Sequence, residues 1–181
     1  MVFAHDVELA LQAAVALVNS AEEPQTLTTV DALDEFLRHW GYTGRHDGTA
    51  AELASVRDLR DELRGLLLAS RDDAVALVNA VLAEERAVPR LVRHDDLDWH
   101  LHAVGDDEPL ARRIRVETAM AMLDVIRADE HSRLAVCADG GCEAVALDLS
   151  RNRSKRYCST TCANRNAAAA YRARQSPLRA T

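Results

Sequence analysis

Apolar residues in the first ninety positions recur at the three- and four-residue spacing that is typical of amphipathic helices. In the first such segment Val7, Leu11 and Val15 fall on one face, and in the third Leu59 and Leu63 do the same. Polar residues occupy the positions between them. The pattern predicts four helices, over about residues 6–19, 29–40, 49–69 and 71–88.

Capping residues support these helix boundaries. The side chain of Thr28 or Thr29 can accept a hydrogen bond from an early amide of the second helix. Thr49 and Glu52 have the spacing of a capping box, in which the two side chains satisfy each other's backbone amides. Pro89 is expected to stop the fourth helix, because proline cannot continue the hydrogen-bond ladder.

The hydrophobic period then shortens, and residues 87–94 and 96–104 are predicted to form a β-hairpin around an aspartate-rich turn. His100 and His102 lie two positions apart, so they face the same side of the second strand. With His94 across the turn, they can form a metal or ligand site. The alternative is a half-exposed strand face, since histidine is intermediate in its tendency to be buried.

A further helix is predicted from Pro109 to about Arg127, with proline at the first helical position. A domain boundary is expected near residue 130. This gives a mainly helical N-terminal domain over residues 1–130, with one small hairpin, and a second domain over residues 131–181. The scarcity of aromatic residues, only 4%, agrees with a core of leucine, valine and alanine.

Charge is distributed very unevenly between the two parts. Residues 1–148 contain all 29 acidic residues and 14 arginines, so their net charge is −15. Residues 149–181 contain seven arginines, one lysine and no acidic residue, so their net charge is +8. This asymmetry predicts an acidic body with a basic end that attracts a polyanion.

The N-terminus has no basic segment of the kind that begins a signal peptide, and no apolar run approaches the length of a membrane span. We therefore expect a cytoplasmic protein that does not bind membranes, with reduced thiols. The sequence has many alanines, and its basic residues are arginines apart from Lys155, which suggests a GC-rich bacterial genome.

The four cysteines follow the pattern C-x4-C-x15-C-x3-C, at Cys137, Cys142, Cys158 and Cys162. Two short chelating pairs suit Zn²⁺, which is held in structural sites by four tetrahedral protein ligands. In a reducing compartment this metal site is favoured over two alternatives, disulfides and a redox switch that releases zinc. With no open coordination position, the zinc is expected to be structural.

The chain around these cysteines predicts a treble-clef-like finger. Residues 144–149 read as a strand, residues 150–154 as a turn and residues 155–158 as the returning strand. A helix is then expected, capped by Ser159 or Thr160 and ended by Pro177. The whole protein is therefore assigned to the α+β class.

The cationic side chains of this end are candidate nucleic-acid contacts, because a rigid array of arginines suits a phosphate backbone. They are Arg151, Arg153, Lys155, Arg156, Arg165, Arg172 and Arg174, with Arg179 beyond the helix. Two alternatives remain: docking of the basic end on its own or another protein, and a solvated surface without a partner. Asn164 and Arg165 can instead stabilise the finger, Arg165 by pairing with Asp148.

The C-terminal region resembles the CGNR zinc finger. Residues 162–165, Cys-Ala-Asn-Arg, occupy the signature, with Ala163 in place of the usual glycine, and residues 147–152, 156–159 and 171–174 extend the similarity. The second cysteine pair is one residue tighter than in many members of that family.

The upstream region resembles the ABATE domain, through Leu-Val-Asn-Ser at residues 17–20 and through Trp99. Together the two resemblances imply a bacterial stress-induced transcription regulator. They imply that the finger contacts DNA and that the N-terminal domain senses a small-molecule effector or forms a homodimer.

The sequence contains no GxSxG, HExxH, Walker or Rossmann motif, and no motif pairs its carboxylates for acid–base work, so we expect that the protein is not an enzyme. Two other functions remain open: a zinc-stabilised protein-interaction module that binds no nucleic acid, and a small-molecule enzyme that uses a cleft in the N-terminal domain. Arg57, Arg60 and Arg64 share one helical face, which is typical of a salt-bridged surface, with an anion pocket as the alternative.

Overall fold

The protein is described by a computed structural model that covers residues 2–93 and 98–175. Its larger part is a body of helices in which α5 packs against α1, α3 and α4. Helix α3 also packs against α1 and α4, and α2 covers α1 and α3. The helices of this body are α1 (His5–Asn19), α2 (Val30–Trp40), α3 (Ala50–Leu68), α4 (Arg71–Glu84) and α5 (Leu110–Arg127). Within the described ranges, none of the helices has both the length and the apolar character that a membrane span requires.

The core of the body consists of aliphatic side chains that the helical spacing places on inward faces. Its largest fully buried members include Leu11, Leu17, Leu33, Leu63, Ile114 and Met122. Burying one side chain of this size contributes about 1.5–3 kcal/mol. The amphipathic pattern of the sequence is therefore the pattern of this core.

Caps fix the helix ends much as predicted. Thr29 accepts a hydrogen bond from the Ala32 amide at 3.1 Å, and Thr49 accepts one from the Glu52 amide at 3.2 Å. Gly41 ends α2 with a left-handed φ of 68°, which glycine adopts without strain. The carboxylate of Glu52 reaches further back than a capping box requires, and it accepts from the amides of residues 47 and 48.

Two boundaries differ from the prediction. Helix α4 ends at Glu84 rather than beside Pro89, because Arg86 takes a left-handed φ of 49° that breaks the helix earlier. Pro109 is the cap residue before α5 rather than its first helical residue. Both shifts are local and leave the order of elements unchanged.

The predicted hairpin is confirmed. Strands β1 (Arg90–Val92) and β2 (His100–His102) pair in antiparallel fashion, with Leu91 opposite Leu101. His94, which the sequence placed near the other two histidines, lies outside the described residues.

A second antiparallel hairpin precedes the last helix. After a 3-10 turn at His131–Arg133, strand β3 (Leu134–Val136) pairs with β4 (Val145–Leu147). The predicted strand at residues 144–149 is thus present, but its predicted partner is wrong, since residues 155–158 form no strand. All three residues of β4 are buried, and the strand packs on α1.

The chain then forms helix α6 (Thr160–Gln175). Cys162 is the buried residue of this helix, and the remainder of its surface is accessible. Pro177, the expected end of the helix, and Arg179 lie outside the described residues. Helices and two small hairpins together confirm the α+β class.

Candidate metal centre

The four cysteines come together because hairpin and helix present them from two sides. Cys137 directly follows β3 and Cys142 lies just before β4, so the first pair sits in the turn of the hairpin. Cys158 precedes α6 and Cys162 lies in its first turn. Ser159 caps this helix, with its hydroxyl accepting from the Cys162 amide at 3.3 Å. The arrangement of a knuckle followed by a helix agrees with the predicted finger.

The sulfur atoms are spaced as ligands of one ion. The Sγ atom of Cys158 lies 3.6 Å from that of Cys142 and 3.7 Å from that of Cys162, and all four ligand atoms lie within 4.8 Å of one another. A disulfide would need about 2.05 Å. Zinc–sulfur bonds of about 2.3 Å in a tetrahedron place neighbouring sulfurs about 3.8 Å apart. The cluster therefore fits a metal ion held by four thiolates.

The electrostatics of the cluster also favour a cation. Burial and the neighbouring thiols of Cys142 and Cys137 raise the pKa of Cys158 to about 12. Burial also tends to raise the pKa of Cys137. Hydrogen bonds to its sulfur, the first of them from the Cys158 amide, outweigh burial, so the pKa of Cys137 is lowered. Thiols this close resist joint ionisation, and a divalent cation among them removes that penalty because a coordinating thiol is deprotonated outright.

Arg165 and Asp139 support the cluster from outside. The guanidinium of Arg165 donates to the Asp139 carboxylate and, at 3.3 Å, to the sulfur of Cys162. Asp139 also accepts from the Gly141 amide at 3.3 Å, which fixes the turn between the first two cysteines. Burial opposes ionisation of Asp139, yet its hydrogen bond with Arg165 lowers the pKa of that carboxyl.

Sequence reasoning missed this pair. It offered Asp148 as the partner of Arg165, and that assignment is wrong because Asp148 is used elsewhere: its carboxylate accepts from the amides of Ser150 and Lys155, each at 2.8 Å. The position of Asp139 between two cysteines was the available signal, because polar groups beside metal ligands commonly orient them.

Buried Arg133 ties the loop after β4 to the rest of the molecule. It donates to the carbonyls of Asp148 and Ser150, each at 2.9 Å, and to the Glu130 carboxylate at 2.7 Å. The carboxylate of Glu130 also forms an ion pair with the guanidinium of Arg153 at 2.8 Å. The loop that carries the basic residues is thus fixed rather than free to swing.

The structure exposes all seven candidate nucleic-acid contacts. Two of them have acidic partners, since Arg153 pairs with Glu130 and Arg165 with Asp139. Within the described residues, four form no ion pair, namely Arg151, Lys155, Arg156 and Arg174. Arg172 lies two turns beyond Arg165 on α6.

Two further sets of candidates are resolved. His100 and His102 do face each other, with their Nε2 atoms 3.2 Å apart. Of the candidate arginines of α3, Arg64 lies 3.8 Å from Glu143, whereas Arg60 is buried and donates to the Leu27 carbonyl at 3.4 Å.

Comparison with protein families assigns both parts of the chain. Residues 11–129 match the ABATE family, described as "Putative stress-induced transcription regulator". Residues 133–175 match the CGNR zinc finger. A search of curated proteins found no match. The two resemblances inferred from the sequence are confirmed, in the order in which they were expected.

Proposed function

The chain belongs to the ABATE family, and on that premise we propose that it is a bacterial, cytoplasmic transcription regulator whose zinc finger contacts DNA. The helical residues, up to a boundary near residue 130, serve for sensing or for dimerisation. The finger, from residue 131 onwards, carries the DNA contacts.

Zn²⁺ is the ion that suits the cysteine cluster, with Cys137, Cys142, Cys158 and Cys162 as its ligands. Four thiolates satisfy its tetrahedral preference and leave no open position, so the ion is structural. Its charge compensates the thiolates, and the four side chains then hold the first turn of α6 against the knuckle. Asp139 and Arg165 keep the turn and the helix in place around them.

One observation carries the DNA-binding proposal: the finger displays exposed cations on a rigid frame, without a single acidic residue between positions 149 and 175. Arg151, Lys155 and Arg156 lie on the loop fixed by Arg133, and Arg174 lies on α6. A phosphate backbone fits such a surface because each contact releases condensed counterions. Arg153 and Arg165 contribute less directly, since their charges are already paired.

A salt titration of DNA binding by the zinc-loaded full-length chain tests this proposal. With about six phosphate contacts, log affinity should fall against log salt with a slope of about −5. Replacing Arg151, Lys155 and Arg156 by alanine should weaken binding to all sequences and reduce the slope by about 3. Arg38→Ala, an exposed arginine at the end of α2, is the control and should leave the slope unchanged.

A chain that retains its zinc and its helical content but binds no DNA at low salt contradicts the proposal. The same cationic surface would then serve a protein partner. Genome-wide selection of DNA fragments by the purified protein identifies the target once binding is established.

A further inference from the structure

A cavity of about 170 Å³ lies in the helical body. Helices α1 and α5, the end of α2 and strand β2 contribute its wall. An apolar cavity of about 150 Å³ holds a molecule of the size of benzene. The cavity therefore has the size that suits a ligand with a single ring.

Most of the side chains along the wall are apolar. Trp40 at the end of α2 offers the face of a large aromatic ring, against which another ring can stack. Met120 on α5 offers a flexible thioether, and sulfur makes favourable contacts with aromatic rings. The aliphatic part of the wall consists of Val7, Leu9, Ala10, Ala13, Leu101, Ala121 and Leu123. Such a wall suits an aromatic ligand.

Tyr42 is held in the wall by the turn that ends α2. After the left-handed Gly41, the Tyr42 amide donates to the Leu37 carbonyl at 3.0 Å. The Tyr42 ring stacks on that of Phe36, with the ring centroids 6.3 Å apart and the planes inclined by 18°. The position of the ring is therefore defined by the fold before any ligand arrives.

The hydroxyl of Tyr42 is the polar group that is available to a ligand. No residue in the described ranges 2–93 and 98–175 forms a hydrogen bond with it. Burial, and after it the negative charge of Glu117, raise the pKa of Tyr42 well above its usual value, so the hydroxyl keeps its proton at neutral pH. A phenolic hydroxyl can donate or accept, and a polar group at depth normally has a partner.

The charged side chains of the wall do not favour an anion. Arg113 is buried, and its guanidinium already donates to the carbonyls of Thr43, Arg45 and Glu108. Arg127 is mostly exposed and lies 3.9 Å from Asp124. A charge that enters an apolar cavity without a dedicated partner is costly. The wall thus favours an uncharged ligand.

We propose that this cavity binds one uncharged molecule, made of a single aromatic ring and a hydroxyl or carbonyl group, and that Tyr42 forms a hydrogen bond with that group. A mostly apolar cavity with a few polar groups is the usual form of a binding site. Its role as the sensing site rests on the function proposed above, whereas the binding itself does not require DNA.

Three compounds of similar shape and different charge test the proposal: benzyl alcohol, benzylamine and benzoate. They are titrated at pH 7 into the zinc-loaded full-length chain, labelled with ¹³C at the methionine methyl groups. Benzyl alcohol should bind saturably with a dissociation constant of about 1 mM or lower. The ammonium and carboxylate compounds should bind at least about tenfold more weakly. The absence of saturable binding of benzyl alcohol overturns the proposal, as does equal binding of either charged compound.

The same spectra locate the ligand, because the chain has only three methionines. Met120 lines the cavity and Met122 does not, so benzyl alcohol should shift the Met120 methyl resonance more than that of Met122. The reverse order places the ligand elsewhere and overturns the proposal. DNA is absent from this experiment, so its outcome is independent of whether the finger binds DNA.

Filling the cavity should remove the site. Ala10→Leu puts three more carbon atoms on the wall and should weaken the binding of benzyl alcohol by at least about tenfold. Ala16→Leu is the matched control, since Ala16 is also a half-buried alanine of α1 but lies in the groove beside β4. Equal affinities in the two variants overturn the proposal.

Tyr42→Phe tests the hydrogen bond and retains the ring that stacks on Phe36. It should weaken the binding of benzyl alcohol by about 3–10-fold, the usual effect of one hydrogen bond. The binding of toluene, which has no polar group, should not change. Unchanged affinity for benzyl alcohol, or equal losses for both compounds, overturns the assignment of Tyr42.

Discussion

At the scale of single residues, Arg165 shows how an exposed cation can belong to a metal site. Its guanidinium bridges a carboxylate from the knuckle and a sulfur from the helix, so one side chain joins the two halves of the finger. Its place in the Cys-Ala-Asn-Arg tetrapeptide left two roles open, DNA contact and support of the finger. The observed contacts favour support.

Arg165→Ala should therefore lower the affinity of the cysteines for zinc by about 10–100-fold, the usual effect of removing a group that orients metal ligands. Competition with a chromophoric zinc chelator measures this. Arg174→Ala, further along the same helix, is the control and should bind zinc normally. Normal zinc affinity in Arg165→Ala combined with lost DNA binding would assign Arg165 to the DNA surface instead.

His131 makes the fold sensitive to acid. Both of its ring nitrogens are buried without a hydrogen-bond partner among the described residues. Burial lowers its pKa below that of a free histidine, and the nearby charge of Arg71 lowers it further. The unfolded chain, in which the ring is solvated, therefore takes up a proton at a higher pH than the folded chain does.

As pH falls below the usual histidine pKa of about 6.5, the free energy of unfolding should decrease by up to about 1.4 kcal/mol per pH unit on account of this group. The loss continues until pH reaches the lower pKa of the folded state. Urea unfolding of the native chain and of His131→Leu over a pH series isolates the effect, since loss of zinc in acid is common to both. Equal pH dependence of the two chains would show that His131 does not contribute.

At the scale of elements, α1 and β4 are joined by one side chain that acts as a strand partner. Asn19 donates to the Val145 carbonyl at 2.8 Å and accepts from the Val145 amide at 2.7 Å. It thereby satisfies both backbone groups of a buried strand residue. Asn19 lies within the Leu-Val-Asn-Ser segment, so this contact gives a physical reason for an asparagine there.

Asn19→Ala leaves those two backbone groups without their partner, which should lower the free energy of unfolding by about 1–3 kcal/mol. Chemical denaturation measures the change. Gln12→Ala, on the same helix and beside the same groove, is the matched control, with an expected change well below that of Asn19→Ala. An equal effect of the two substitutions would indicate that packing, rather than the paired hydrogen bonds, secures β4.

Elements fixed by local chemistry were predictable from the sequence, whereas their partners were less so. Thr29, Thr49 and Ser70 each mark a helix start through a hydrogen bond made within the same turn. Strand β4 was predicted, but its partner was predicted to follow it at residues 155–158, whereas the observed partner β3 precedes it. Hydrophobic alternation states that a segment is a strand without stating which segment pairs with it.

The same distinction applies to the sites. The spacing of the cysteines identified all four members of the metal cluster, because chelation by short pairs is a local property. The ion pair between Asp139 and Arg165 joins residues 26 positions apart, and only the assembled finger brings them together. The orientation of His100 and His102 likewise depends on Asp106, which lies beyond the strand.

At the scale of the whole molecule, the hairpin β3–β4 belongs to two structures at once. Its turn carries two of the cysteines, while Leu134, Val145 and Leu147 are part of the same buried cluster as the core of the helical body. Helix α6 differs, because Cys162 is its buried residue and the rest of the helix is accessible. A 16-residue helix with so little packing is only marginally stable without an anchor.

Removal of the metal should therefore unfold α6 and spare the hairpin and the body. Hydrogen exchange after chelation should show lost protection across residues 160–175 and retained protection in α1, α3 and α5. Cys158→Ser should reproduce the pattern without a chelator. Full protection of α6 after the metal has left would contradict the assignment of the cysteines as its anchor.

Because the hairpin β3–β4 is shared with the helical body, the finger cannot simply be transferred to another protein. A finger that is cut out at its family boundaries and grafted onto another protein would contain β4 without α1 and Asn19, which cover it. The apolar side chains of β4 would then be exposed and would associate with other surfaces. A transplant that keeps its solubility would have to carry α1 along, or replace Val145 and Leu147 with polar residues. The finger is an integral part of this fold and cannot be exchanged as an independent unit.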